Sequence, residues 1–379
     1  MSGGPYCVPG SCSGLPAGGS VPLLHKIAGV VVVCAVVLGL VLPAVRPEKR
    51  QAAARVGGAG AEVSGTPRAP AVVATPAGPV PGAAPGAVAV KANELGQVPV
   101  LMYHRIVPKA ETPLDRSTKE LYDELTRLAK SGYTPITAAE FVGGRFDVPA
   151  GRHPVVLTFD DSTPGHFALD ANGWPKGDTA VAIIQRVARE NPGFRAVATF
   201  YLNKDLFGMA DAQAAVGLKW LVQRGFELGN HTMSHPSLGG LSQGEVRAEI
   251  GGLEDRVVRL TGRHTTTLAY PYGAVPRKAA WARADGGRYT FRGIFLAGWR
   301  PSPSPFDENF DRWNITRVRS EGKVEENDCT KFCSTAWLDY LDKNPDERYT
   351  SDGDSNTVTF PRTAEGRLAK EHRGRARAY

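Results

Sequence analysis

The stretch His153-Pro154-Val155-Val156-Leu157-Thr158-Phe159-Asp160-Asp161 is a short apolar run that ends in two adjacent carboxylates. Its first seven residues read as a β-strand. Side chains next to each other on a strand point to opposite faces. At a strand end the backbone turns, so both aspartates can reach one cavity and serve different roles. One can hold a divalent metal while the other takes a proton from water at that metal. An acidic pair before a serine is also an ordinary turn former or helix cap, so this segment alone decides nothing about chemistry.

The pattern alternates on both sides of this strand. Val98–Tyr103 is an apolar run ending at His104. Ser117–Ser131 reads as a helix, with Leu121, Leu125 and Leu128 at helical spacing and Gly132 as its stop. Thr179–Glu190 reads as a helix, Ala196–Leu202 as a strand, Asp211–Arg224 as a helix and Phe226–Gly229 as a strand. Ser242 and Glu245 form a capping box for a helix to Leu260. Leu268–Tyr270, Phe291–Ala297 and Asn314–Val318 read as strands, with Arg277–Ala284 as a helix. Strands alternating with helices predict an α/β domain with a parallel sheet and helices outside. About seven such units fit, the pattern of a barrel. In such barrels reactive residues gather at the C-terminal ends of strands, where His104, Asp160, Asp161, His231 and Tyr272 all fall.

His231-Thr232-Met233-Ser234-His235 follows the aspartates by some seventy residues and sets two imidazoles four apart. That spacing suits one metal ion. A zincin protease would need Glu at position 232, where this chain has Thr. One carboxylate of the Asp160–Asp161 pair with His231 and His235 would make three protein ligands and leave an open position, the arrangement of a catalytic zinc site. Cobalt and nickel fit the same set.

Together these segments resemble the metal-dependent polysaccharide deacetylases, the NodB-homology group of carbohydrate esterase family 4. Thr158-Phe159-Asp160-Asp161 matches the family's T-F-D-D motif, and His231–His235 matches H-[S/T]-x-x-H. The third motif, usually R-x-P-[F/Y]-G, stands here as Ala269-Tyr270-Pro271-Tyr272-Gly273, without the arginine that orients the catalytic aspartate. The late L-x-H motif is absent as well. The poly-N-acetylglucosamine deacetylase branch has a Y-P-Y-G-like third motif and takes its acid histidine from an early M-Y-H segment. Met102-Tyr103-His104 matches that segment.

The resemblance spans roughly residues 97 to 320 and implies a distorted (β/α)7 barrel. It implies an amide hydrolysis in which metal-bound water attacks the acetyl carbonyl. Asp160 is then the base, His104 the acid, the Tyr272 N–H an oxyanion donor, and Asp161, His231 and His235 the metal ligands. The substrate class is an extracellular polysaccharide containing N-acetylglucosamine. Peptidoglycan, chitin-type oligomers, O-acetyl xylan, or glycan binding without turnover are the alternatives. Trp174 and Trp299 are candidates to stack on sugar rings, with Tyr270 a third candidate for substrate contact.

The rest of the chain divides into a short segment 1–26, an apolar stretch Ile27–Val45, an Ala/Pro/Gly-rich stretch 46–95, the domain 96–345 and a basic tail 346–379. Ile27–Val45 is uncharged and long enough to cross a bilayer, as an anchor or a signal-peptide core. Lysines and arginines are denser after it than before, which read alone would keep the domain inside. The linker and the implied substrate argue for an external domain, membrane-anchored or secreted. Residues 51–95 read as a disordered spacer. Cys329 and Cys333 could pair or stay free, and no CxxC array marks a structural zinc module. A net charge of +7 is modest for 379 residues, and no nucleic-acid module is visible.

Overall fold

The computed structural model describes residues 78–320 and 334–379. Chain order begins with α1 (Pro85–Ala89), β1 (Val100–Tyr103), the small parallel pair β2 (Arg105–Val107) and β3 (Asp115–Ser117), α2 (Thr118–Lys130), β4 (Tyr133–Ile136) and α3 (Ala138–Gly143). Then come β5 (His153–Phe159), α4 (Ala180–Glu190), β6 (Thr199–Leu202), α5 (Asp211–Gln223), β7 (Glu227–Asn230), α6 (Gln243–Thr261) and β8 (Thr267–Ala269). The chain continues through α7 (Ala280–Arg283), the ribbon β9 (Ala284–Asp285) with β10 (Tyr289–Thr290), β11 (Gly293–Trp299) and β12 (Ile315–Arg319). It closes with α8 (Ser334–Lys343), β13 (Val358–Phe360) and β14 (Ala376–Ala378).

Seven parallel strands close into a barrel in the order β1-β12-β11-β8-β7-β6-β5, with β5 returning to β1. The closing edge of β5 is shared. Its first half, His153–Val156, pairs with β4, and its second half, Val156–Phe159, pairs with β1. Every residue of β5 is buried, because one face meets the barrel interior and the other meets helices. Val155, Leu157 and Phe159 pack in the cluster under α2 and α4, while Val156 packs in the second cluster with Tyr201, Ala269 and Phe295. That alternation carries Thr158 and Asp160 inward.

The helices start where capping chemistry allows. Ser117 with Glu120, Thr137 with Glu140 and Ser242 with Glu245 each form a reciprocal capping box. Inside the barrel, β7 passes so close to the Tyr201 ring that a Cβ at Gly229 would lie 2.4 Å from it. A side chain there would force the strands apart.

Several sequence expectations need correction. The basic tail expected over 346–379 is built into the fold: β13 pairs with β14, and Val358, Phe360, Ala376 and Ala378 are buried. The spacer ends earlier than position 95, since Val80 and Leu95 are buried in the same cluster as Phe360. The helix expected over Arg277–Ala284 is a single turn, Ala280–Arg283. The strand β4 and helix α3 were not anticipated. The apolar stretch Ile27–Val45, Cys329 and Cys333 lie outside the described residues. No helix among the described residues is long and apolar enough to cross a membrane.

Candidate active site

Asp161, His231 and His235 come together at the C-terminal ends of β5 and β7, with one ligand atom from each within 4.8 Å of the others. His231 Nε2 lies 3.6 Å from Asp161 Oδ1, and His235 Nε2 lies 3.4 Å from the same oxygen. His231 Nδ1 lies 2.8 Å from the Ala269 carbonyl. A carbonyl only accepts, so Nδ1 carries the proton and the Nε2 lone pair faces the aspartate. One carboxylate and two imidazoles, one of them locked in this tautomer by a backbone oxygen, fit a divalent cation. His231 is buried, and Asp161 and His235 are about a quarter exposed, so the set opens to solvent on one side.

Backbone strain gathers in the same place. Eight non-glycine residues among those described have φ above zero, and five belong to the site segments: Asp161 (74°), Ser162 (44°), Thr232 (65°), His235 (59°) and Tyr272 (57°). Such conformations cost on the order of 1–3 kcal/mol each and persist only where surrounding contacts enforce them. The contacts are visible. Asn230 Oδ1 accepts from the Thr232 N–H at 2.9 Å, and Thr232 Oγ1 accepts from the His235 N–H at 3.2 Å. The Phe207 N–H donates to the Ser162 carbonyl at 2.6 Å.

Asp160 lies beside the ligand set, its Oδ2 3.7 Å from His231 Nε2. It is fully enclosed, and its partner is Arg317 of β12. Nη1 donates to Oδ1 at 2.7 Å and Nη2 to Oδ2 at 2.8 Å. Arg317 Nη1 also donates to Thr158 Oγ1 at 3.1 Å, and Nε donates to the Leu296 carbonyl at 2.6 Å. Burial alone would push the Asp160 carboxyl up. The Arg317 guanidinium, with His231 and His104 adding to it, reverses this and holds the group well below the usual carboxylate range. Sequence reasoning missed Arg317. Its signal was a charged residue flanked by Ile315 and Val318 at an inward position of a barrel strand, Ile315–Arg319.

His104 follows β1 and is close enough to Asp160, Asp161 and His235 for each to act on its charge. Burial lowers its pKa below the ordinary histidine value, and the two aspartates oppose that. Beneath it, His166 Nε2 donates to the His104 carbonyl. The loop carrying His166 is pressed against β2, where a Cβ at Gly165 would collide with the Ile106 carbonyl at 1.9 Å.

Tyr272 sits in a turn closed by the Gly273 N–H on the Tyr270 carbonyl at 2.9 Å. Its side chain is 72% exposed and packs edge-on against His235, ring centres 4.6 Å apart. Trp299, 61% exposed at the end of β11, is in register with Arg317 across the strand pair. The pairing of β11 with β12 shifts register between Phe295 and Trp299, a local irregularity beside the site. Trp174 is exposed on the loop after β5. Tyr270 does not line the opening: it is 1% exposed and packs with Leu238, Ile250 and Leu268, so the expected substrate contact is corrected to a core role.

Residues 147–290 match the family model described as polysaccharide deacetylase. That segment contains Asp160, Asp161, His231, His235 and Tyr272, but neither His104 nor Arg317. A peptidoglycan-N-acetylglucosamine deacetylase of Bacillus cereus is 28% identical over 154 residues, 40% of this chain and 49% of that one. An uncharacterized 30.6 kDa protein of Geobacillus stearothermophilus is 30% identical over 78 residues, 21% of this chain and 29% of that one. The chain thus spans half or less of the length of these curated relatives. Among solved structures, a Streptococcus pyogenes deacetylase in complex with acetate is 20% identical, with a TM-score of 0.48, over 63% of this chain and 98% of that one. A Bacillus cereus polysaccharide deacetylase is 22% identical, with a TM-score of 0.47, over 60% of this chain and 66% of that one.

Proposed function

We propose that this chain, whose residues 147–290 belong to the polysaccharide deacetylase family, is a metal-dependent hydrolase that removes N-acetyl groups from N-acetylglucosamine-containing polysaccharide. The observation that carries the reading is the convergence of Asp161, His231 and His235 on one point, with the ionised Asp160 3.7 Å from His231.

Asp161, His231 and His235 would hold a divalent ion, which would supply Lewis acidity and lower the pKa of the attacking water. Zinc suits one carboxylate and two imidazoles best, and cobalt or nickel accept the same set. Asp160 takes the proton of the attacking water. Each of its oxygens keeps a lone pair beyond the one given to Arg317. Because Arg317 makes Asp160 a weak base, it works only on a proton that is already acidic. The Tyr272 N–H faces the developing oxyanion. His104 protonates the departing amine, which as a free anion would be too poor a leaving group. The acetamide C–N bond breaks, a C–O bond forms, and acetate and a free glucosamine amine leave. The polymer lies across the exposed rings of Tyr272 and Trp299, with Trp174 at the rim.

The early position of His104 favours poly-N-acetylglucosamine, as in the branch with an M-Y-H acid. The name of the Bacillus cereus relative favours peptidoglycan. Both carry the same acetamide. Acetate release from poly-N-acetylglucosamine, peptidoglycan, chitin oligomers and acetyl xylan, with zinc, cobalt or nickel added, separates them. No acetate from any N-acetylglucosamine polymer would sink the proposal. We place the domain outside the cell, tethered or led there by Ile27–Val45. Protease shaving of intact cells checks this, and a domain digested only after lysis would contradict it.

A further inference from the structure

Glu124 of α2 is a buried carboxylate that the mechanism does not use, and it gathers donors from four parts of the chain. Tyr103 Oη and Ser320 Oγ each donate to Oε1 at 2.6 Å. Ser334 Oγ donates to Oε2 at 2.5 Å, and the Arg116 guanidinium pairs with the same oxygen. Tyr103 is the last residue of β1, Arg116 lies in β3, Ser320 directly follows β12, and Ser334 opens α8. A carboxylate has room for about four such bonds, so this one is saturated.

What these donors stand next to matters more than their number. Tyr103 precedes His104. Its ring stacks on Phe159, centroids 4.8 Å apart and planes 17° apart, and Phe159 precedes Asp160. Ser320 lies three residues beyond Arg317, and its N–H donates to the Met102 carbonyl at 2.9 Å. The three backbones that carry His104, Asp160 and Arg317 are therefore referenced to one buried group. The metal-ligand histidines are held separately, by Asn230, Thr232 and the Ala269 carbonyl.

We propose that Glu124 is a positioning residue that fixes the general acid His104 relative to the Asp160–Arg317 pair, independently of the metal ligands. The proposal rests on the hydrolase reading above. Misplacing a catalytic group by about 1 Å costs on the order of 100-fold in rate.

Glu124→Gln and the milder Tyr103→Phe, made in the full chain, test it. Both should bind zinc with wild-type stoichiometry and affinity. Their kcat should fall roughly 10- to 100-fold, with KM changed less than about twofold. Nuclear magnetic resonance of ring-labelled histidine reads the same effect without turnover. In Tyr103→Phe the His104 resonance should shift while those of His231 and His235 stay. Wild-type kcat in both folded variants, or a kcat loss that tracks zinc loss, would overturn the proposal. So would an unmoved His104 resonance. A wild-type chain that releases no acetate while the His104 resonance still moves would count against the hydrolase reading alone.

Discussion

Arg317 and Asp160 face each other inside the barrel as a two-pronged pair, Nη1 to Oδ1 at 2.7 Å and Nη2 to Oδ2 at 2.8 Å. Neither side chain is more than 2% exposed. A lysine in place of Arg317 would keep the charge and lose the fork. Arg317→Lys should therefore retain metal and lose kcat by about 100-fold. Arg317→Ala leaves a buried carboxylate without its partner and should cost about 3–5 kcal/mol of stability. Urea unfolding checks the second figure, and a variant as stable as the parent would show that the pair is not what holds this end of β12.

Metal removal gives a second expectation. Chelation should abolish acetate release, and added zinc should restore it. His231→Ala removes a proposed, buried ligand and should lower bound zinc below one equivalent by elemental analysis. Saturating zinc at about 100 times its Kd should raise the stability of the parent by about 2.7 kcal/mol and leave His231→Ala unchanged.

The pH profile follows from two opposite shifts. Asp160 is held ionised far below neutrality, so no acidic limb should appear above the ordinary carboxylate range. As the proposed acid His104 must be protonated to act, and burial places its pKa below 6.5. Log kcat/KM, which reports the free enzyme, should decline as pH rises through that value. A bound cation moves His104 in the same direction. In His104→Gln the residual rate should lose this limb.

His153 gives a stability test away from the site. Its Nδ1 meets the Tyr349 carbonyl at 2.8 Å, and burial lowers its pKa to about 4. The folded form stays neutral between 6.5 and about 4, while the unfolded chain takes up a proton. Stability is therefore full above 6.5 and falls as pH drops toward 4, by about 3 kcal/mol in all. Urea midpoints at pH 7 and pH 4.5 should differ more for the parent than for His153→Asn.

Trp299→Ala should raise KM for polymer by about fivefold, equivalent to about 1 kcal/mol of lost stacking. Its kcat should change little. Unaltered KM would move the glycan track away from β11.

The barrel strands were readable because their apolar runs are uninterrupted and their helices carry strong start signals, as at Ser242 and Glu245. The segment Tyr133–Gly143 was not read, although Thr137 and Glu140 carry the same capping pair. Pro135 inside a four-residue strand masks its pattern. The C-terminal region was misjudged because its arginines dominate the composition. Val358, Thr359, Phe360, Ala376 and Ala378 are nonetheless buried, and Arg367 and Arg375 fold back onto Asp307 and the Phe306 ring. At the site, local motifs singled out Asp160, Asp161, His231 and His235, which the fold brings together. Arg317 was invisible because its partnership with Asp160 spans 157 positions of sequence. No periodicity rule reports a contact of that range.

That same long reach governs how the molecule is completed. Ala378 donates its N–H to the Pro81 carbonyl at 2.9 Å, and its own carbonyl accepts from the Ala83 N–H at 3.2 Å. Two distant parts of the described region are thus stitched together across nearly three hundred residues. During synthesis Pro81 and Ala83 leave the ribosome nearly three hundred residues ahead of Ala378, their partner. A pairing of that sequence separation carries a large loop-closure cost, so β14 and this stitch are expected to join the fold after the barrel strands.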